Sequence, residues 1–258
     1  MNSEILLYGV IAALIAGLFS CFGGLLLYLR REYSRLQINL LLNAAAGIML
    51  SSAVFNLLAP AVNGIEQLET SRLTAANLVI SALLCGVGLI WLLHIILPHQ
   101  HENELLQKNI INHRSALLFV FAIALHKFPE GLAIGVAYAG QQYFNPLSLV
   151  IGISLQNIPE GLMVAVSLLA IGCSRGKAAG YASLSGLLQP AGAFAGILLT
   201  GFSQSLVPFG MALAGGTMLF VVINEVLPEI GQHDEQARGA LAFLSGFMLM
   251  TYISIIMS

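Results

Sequence analysis

Eight stretches of this chain, roughly 5–29, 36–59, 75–97, 115–139, 147–171, 178–200, 205–228 and 239–257, are each apolar for about the 20 residues that a helix needs to cross a bilayer. Hydrocarbon offers no partner to a backbone N–H or C=O, so such stretches have little choice but α-helix. They consume nearly all of the 258 residues and leave no room for a separate soluble domain. A soluble chain carries about 25% charged residues; here 9% are charged and 58% are hydrophobic. The expectation is an all-α integral membrane protein of eight transmembrane helices, with residues 1–258 forming one transmembrane domain. A formal net charge of −2 gives no case for nucleic acid. The first apolar run starts at Ile5 without a basic segment before it and ends in Leu29-Arg30-Arg31-Glu32 without a small-residue cleavage site. It reads as a first span and not as a signal peptide. Cys21, Cys85 and Cys173 lie singly within apolar spans, which suits small core residues better than a disulfide framework or a zinc ribbon.

Basic residues orient the spans. Arg30, Arg31, Arg35, Lys108, Arg114, Arg175, Lys177 and Arg238 fall on one side of an eight-span arrangement, and Arg72 on the other. The excess marks the cytoplasmic side, so both termini are expected outside the cytoplasm. The chain is placed in the cell membrane as a multi-pass protein, in the inner membrane if the source is bacterial. Gly131/Gly135 and Gly192/Gly196 are spaced as small-residue pairs that let helix backbones approach closely. Ordinary membrane packing nearly suffices to explain them.

Within this apolar background two segments thirty residues apart half-match: His126-Lys127-Phe128-Pro129-Glu130-Gly131-Leu132 and Gln156-Asn157-Ile158-Pro159-Glu160-Gly161-Leu162. Each puts a carboxylate where hydrocarbon is expected, which is costly unless a cation pairs with it. Residues four apart share a helix face, so His126 stacks on Glu130 and Gln156 on Glu160. Pro129 and Pro159 free the carbonyls of Leu125 and Leu155, which predicts a backbone opened one turn from each acid. Imidazole and carboxylate suit Zn²⁺, and Fe²⁺ or Mn²⁺ with less preference. The bland alternative pairs Glu130 and Glu160 with Lys127 alone, as a structural ion cluster.

HKFPEG and QNIPEG closely resemble helices 4 and 5 of the ZIP (Zrt/Irt-like) metal transporters, the short bacterial GufA-like members above all. The resemblance covers the whole chain. It implies a 3+2+3 arrangement of helices, inward movement of Zn²⁺ and related ions (Cd²⁺, Fe²⁺, Mn²⁺) as substrate with no cofactor, and a homodimer. It also implies a primary metal site of His126, Glu130, Gln156 and Glu160. Met49, in Gly47-Ile48-Met49-Leu50-Ser51, matches a thioether ligand of some members; read alone, it is core packing.

Many members with this motif hold a second metal on an Asn-like group, an acid and a helix 6 Glu. Lys127, Asn157 and Gln189 stand at those positions here. An ammonium has donors and no acceptor, so it cannot ligate a metal. The expectation is a single-metal site in which Lys127 takes the second ion's place. The empty set of two carboxylates and Lys127 sums to −1, and a dication makes it +1 unless Lys127 releases a proton. The alternative keeps Lys127 charged throughout in a polar crevice.

Glu225, Glu229 and His233 recur every four residues near the end of the seventh span and are candidate exit ligands, though Pro228 interrupts the stripe. His99 and His101, in the polar loop between Pro98 and Arg114, suit either loose metal capture or a solvated loop. His94 reads as an interhelical hydrogen-bonding residue and His113 as a loop residue. The leading function is a divalent-metal permease with a midplane site and alternating access. A metal-selective channel has the same ligands. An intramembrane metalloenzyme would require a HExxH pair or a Ser/His couple at depth, and neither is present. A purely structural bundle leaves both motifs unexplained.

Overall fold

The computed structural model describes residues 3–30, 33–69, 71–96, 127–141, 145–170, 172–226 and 236–257. The described elements are helical: α1 (Ser3–Leu29), α2 (Arg35–Ser51, a π turn Ser52–Leu58, then Ala59–Leu68), α3 (Arg72–Ile96), α4 (127–139), α5 (Pro146–Ala170), α6 (Arg175–Ser185, then Leu188–Gly201), α7 (Val207–Val221, then a π turn Val222–Val226) and α8 (Gln236–Met257). All but α4, of which the described part is shorter, are long and apolar enough to cross a membrane. Large apolar side chains such as Leu7, Ile15 and Phe22 on α1, Trp91 on α3 and Ile255 on α8 are exposed. A bilayer, not water, is the solvent that makes such a surface favourable.

Local sequence sets where the helices start and bend. Ser34 accepts from the Gln37 N–H at 3.2 Å while the Gln37 side chain accepts from the Ser34 N–H at 3.2 Å, a reciprocal cap that starts α2. The sequence predicts that this span ends near residue 59; it runs on to Leu68. Pro60 has no N–H for the Asn56 carbonyl, and the chain accommodates it by widening one turn, so that the Ala59 N–H bonds to Val54. In α6, Pro190 crowds the Gly186 carbonyl, and the helix breaks at Gly186–Leu187 with tight-turn bonds from Leu187 to Leu184 (3.1 Å) and from Gln189 to Gly186 (3.2 Å). The proline motif behaves differently from expectation in α5: Pro159 lies inside a helix that continues unbroken from Pro146 to Ala170. The interruptions are in α2, α6 and α7.

α1 packs on α5 and α6, α2 on α8 and α5, and α3 on α7. At these crossings glycines face backbone carbonyls of the neighbouring helix. A methyl group on Gly23 would strike the Ile158 carbonyl and one on Gly161 the Ser20 carbonyl, locking α1 to α5. Gly131 and Gly192 do the same between α4 and α6, against Gln189 and Phe128, and Gly17 and Gly186 between α1 and α6. Gly47 and Gly246 join α2 to α8, and Gly86 and Gly216 join α3 to α7. Close backbone approach of this kind supplies the dispersion contacts that hold helices together where lipid removes the hydrophobic drive.

These contacts form a repeat. One sequence separation divides Gly17 from Gly186, Ser20 from Gln189, Gly23 from Gly192 and Gly47 from Gly216. A second divides Leu83 from Phe243 and Gly86 from Gly246, and a third Phe128 from Ile158 and Gly131 from Gly161. The α1/α5 crossing is thereby matched to α6/α4, and α2/α8 to α7/α3.

Candidate metal centre

The crossings bring the two half-matching motifs face to face. Lys127, at the start of the described part of α4, is 1% exposed. Its Nζ lies 3.3 Å from Glu130 Oε2 and 3.4 Å from Oε1, and it donates to Glu160 Oε2 and to Asn157 Oδ1 on α5. One ammonium therefore serves two carboxylates from two helices. Gln189, at the break in α6, donates through Nε2 to Glu130 Oε2. Its Oε1 accepts from Asn157 Nδ2 at 3.2 Å, and the same Asn157 nitrogen donates to the Ala16 carbonyl of α1 at 2.7 Å. Each donor faces an acceptor around this network, which satisfies the requirement that buried polar groups be paired.

The two acids are not equivalent. Glu130 is buried, whereas the Glu160 side chain keeps 15% of its exposure. Gln156, one turn before Glu160, is fully buried, and neither of its amide atoms has a partner among the described residues. An orphaned amide of this kind costs about 1–3 kcal/mol unless something else meets it. Its oxygen is a ligand type that a divalent ion accepts.

His126 lies outside the described residues, as do His99, His101, Glu229 and His233. The described residues contain no group of three or more His, Cys, Asp or Glu side chains placed to hold a metal. Lys127, Glu130, Asn157, Glu160 and Gln189 come together, with Gln156 on the adjoining turn of α5. Met49 is buried against Ile90, Val221 and Val222. Glu225 lies in the π turn of α7.

Sequence reasoning missed the Ala16 carbonyl, which anchors Asn157 to α1, and Ser20, whose buried hydroxyl has no partner among the described residues. Only the repeat makes Ser20 the counterpart of Gln189; nothing in its own neighbourhood signals it. A cavity of about 730 Å³ was also missed. It is lined by Asn56, Asn63 and Glu66 of α2, by Asn145 and Ser148 at the start of α5, and by Ser254 of α8. Asn56 Oδ1 accepts there from Ser148 Oγ at 2.9 Å.

A family model described as ZIP Zinc transporter matches residues 94–254. The chain belongs to the ZIP family. It is 36% identical over 246 residues to "Zinc transporter GufA" of Myxococcus xanthus, covering 93% of this chain and 95% of that protein. It is 33% identical over 247 residues to "Zinc transporter ZIPB" of Bordetella bronchiseptica, covering 95% and 80%. It is 29% identical over 257 residues to "Zinc transporter ZupT" of Streptococcus mutans, covering 96% and 97%. This ZIP chain is a multi-pass membrane protein of a transporter family, not an enzyme family.

Proposed function

We propose that the protein carries Zn²⁺ into the cytoplasm by alternating access through one metal site between α4 and α5. Cd²⁺, Fe²⁺ and Mn²⁺ are its competing substrates. The observation that carries this reading is the meeting of two PEG carboxylates from neighbouring helices at a buried position, with the Gln156 amide one turn away and unpaired among the described residues. The names of the relatives support zinc as the substrate. His126, Glu130, Gln156 and Glu160 are the ligands. Met49 joins them only if α2 shifts, because its thioether is packed among apolar side chains.

Lys127 takes the place that the family resemblance implies for a second metal. Its ammonium pairs with both acids when the site is empty and leaves one net negative charge, and Asn157 and Gln189 serve as amides in place of ligands. Two carboxylates and a dication neutralise one another, which makes burial of the ion tolerable. Eight spans in a 3+2+3 arrangement with both termini outside the cytoplasm complete the proposal, supported by the repeated glycine contacts that match α1–α3 to α6–α8. α4 and α5 then carry the site against that frame. The cavity beside Asn56 and Glu66 is the outer approach, and Glu225, Glu229 and His233, with His99 and His101, mark the exit path. A homodimer in the membrane is part of the same reading.

Zn²⁺ uptake into proteoliposomes tests it. Saturable, temperature-steep uptake is expected in the wild type, and its loss in His126→Ala and Glu160→Ala. Wild type that moves no divalent metal, or variants that transport normally, overturn the reading. Flux that neither saturates nor falls steeply on cooling turns the carrier into a channel. Metal analysis of purified protein is expected to give one ion per chain; two would remove Lys127 from its assigned place.

A further inference from the structure

Gln189 does something a former metal ligand need not do. Its side chain is fully buried, comes from a third helix, and is oriented at both ends. Asn157 Nδ2 points at its oxygen at 3.2 Å, so its Nε2 is turned towards Glu130. Asn157 is itself fixed by the Ala16 carbonyl at 2.7 Å. The N–H of Gln189 falls on Oε2 of Glu130, while Lys127 lies about equally far from both oxygens of that carboxylate, 3.3 Å from Oε2 and 3.4 Å from Oε1. Glu160 is likewise held through its Oε2. Lys127 thus shares its ammonium among both oxygens of Glu130 and one of Glu160, whereas Gln189 engages Oε2 of Glu130 alone; once a cation displaces the ammonium, Oε1 is the oxygen left to it.

That geometry has a consequence for the ion. A carboxylate whose second oxygen is engaged by N–H donors binds a metal through one oxygen. Single-oxygen carboxylates keep the ligand count low, towards the four that Zn²⁺ takes. Larger oxygen-seeking cations fill six or more positions and draw on bidentate carboxylates to do so. Resting on the transport reading above, we propose that Gln189 is a positioning residue for metal selectivity. By holding Oε2 of Glu130 it keeps that carboxylate monodentate and favours Zn²⁺ over larger divalent ions such as Mn²⁺.

Gln189→Met keeps the length of the side chain and removes the donor. Competing Zn²⁺ and Mn²⁺ uptake into proteoliposomes is expected to shift towards Mn²⁺ by about tenfold, the loss of roughly one hydrogen bond to a charged group. A role confined to packing lowers both fluxes together and leaves the ratio alone, and that outcome overturns the proposal. X-ray absorption at the zinc edge of the Zn²⁺-loaded wild type gives a readout independent of flux and of the variant. Four ligands are expected around the ion, each carboxylate supplying one oxygen. Five or more, as bidentate carboxylates would give, overturns the proposal even if Gln189→Met fails to fold. Wild type that carries no divalent metal overturns the transport reading and takes this inference with it. Wild type that carries Zn²⁺ beside an unchanged ratio in Gln189→Met overturns the inference alone.

Discussion

Glu130 and Glu160 occupy the same place in two copies of one tripeptide, Pro-Glu-Gly, on neighbouring helices, yet they live in different surroundings. Glu130 is sealed in and receives both Lys127 and Gln189. Glu160 keeps partial exposure and receives Lys127. The difference does not come from the motif. It comes from what the neighbouring helix presents at the repeated position: Gln189 of α6 beside the first copy, Ser20 of α1 beside the second. A carboxamide is long enough to reach across to the acid; the Ser20 hydroxyl has no partner among the described residues. A repeat of backbone contacts can therefore support two unlike halves of a site, because symmetry lies in the glycines and chemistry in the residues beside them.

The largest effect expected is that of Lys127→Met, which leaves two carboxylates without their shared cation. Removing one partner of a buried ion pair costs about 3–5 kcal/mol, to be read as a fall in thermal stability in detergent. A variant as stable as wild type would mean the cation does not hold the two acids together. Next come the acids themselves. Glu130→Gln is expected to destabilise by about 2–3 kcal/mol and Glu160→Gln by about 1 kcal/mol, since the first breaks two charge-assisted bonds in a sealed place and the second breaks one near solvent. Equal losses would erase the contrast between the two copies. The glycines should behave alike: Gly131→Ala and Gly161→Ala each push a methyl into a backbone carbonyl and should each cost about 1–3 kcal/mol. Clearly unequal costs would break the repeat. The smallest effect is reserved for Ser20→Ala, within about 0.5 kcal/mol because no described bond is lost. Gln189→Ala at the matching position should cost about 1–3 kcal/mol.

Much of this architecture is legible without coordinates. Runs of about 20 apolar residues prescribe spanning helices because hydrocarbon forbids unpaired backbone, and the two PEG copies stand out because an acid in such a run demands a reason. That Lys127 reaches Glu130 follows from one-turn spacing within α4. That it also reaches Glu160 and Asn157 depends on how α4 and α5 are juxtaposed, which spacing within either helix does not encode. Gln189 reads from the sequence only as a substituted position on another span, and its donor role depends on Asn157 turning it. The prolines were only half legible. Each removes one hydrogen bond wherever it sits, but the chain's answer differs: a π turn before Pro60, a break before Pro190, and continuous helix through Pro159. The glycine repeat hides for the opposite reason, since most other residues that match between the halves, such as Leu18 with Leu187 or Leu84 with Leu244, are common apolar ones that any two spans share.

The small-residue face of α1 also has a history in time. Gly17, Ser20 and Gly23 find their partners on α5 and α6, more than a hundred residues later in the chain. At about 5–20 residues per second, a ribosome needs on the order of ten seconds or more to deliver those partners. In that interval the first span waits in the bilayer with its narrow face against lipid alone. The close backbone contacts of the first span thus become possible only after more than half of the chain has been made, and until α5 arrives a chaperone or a membrane protease meets α1 without them.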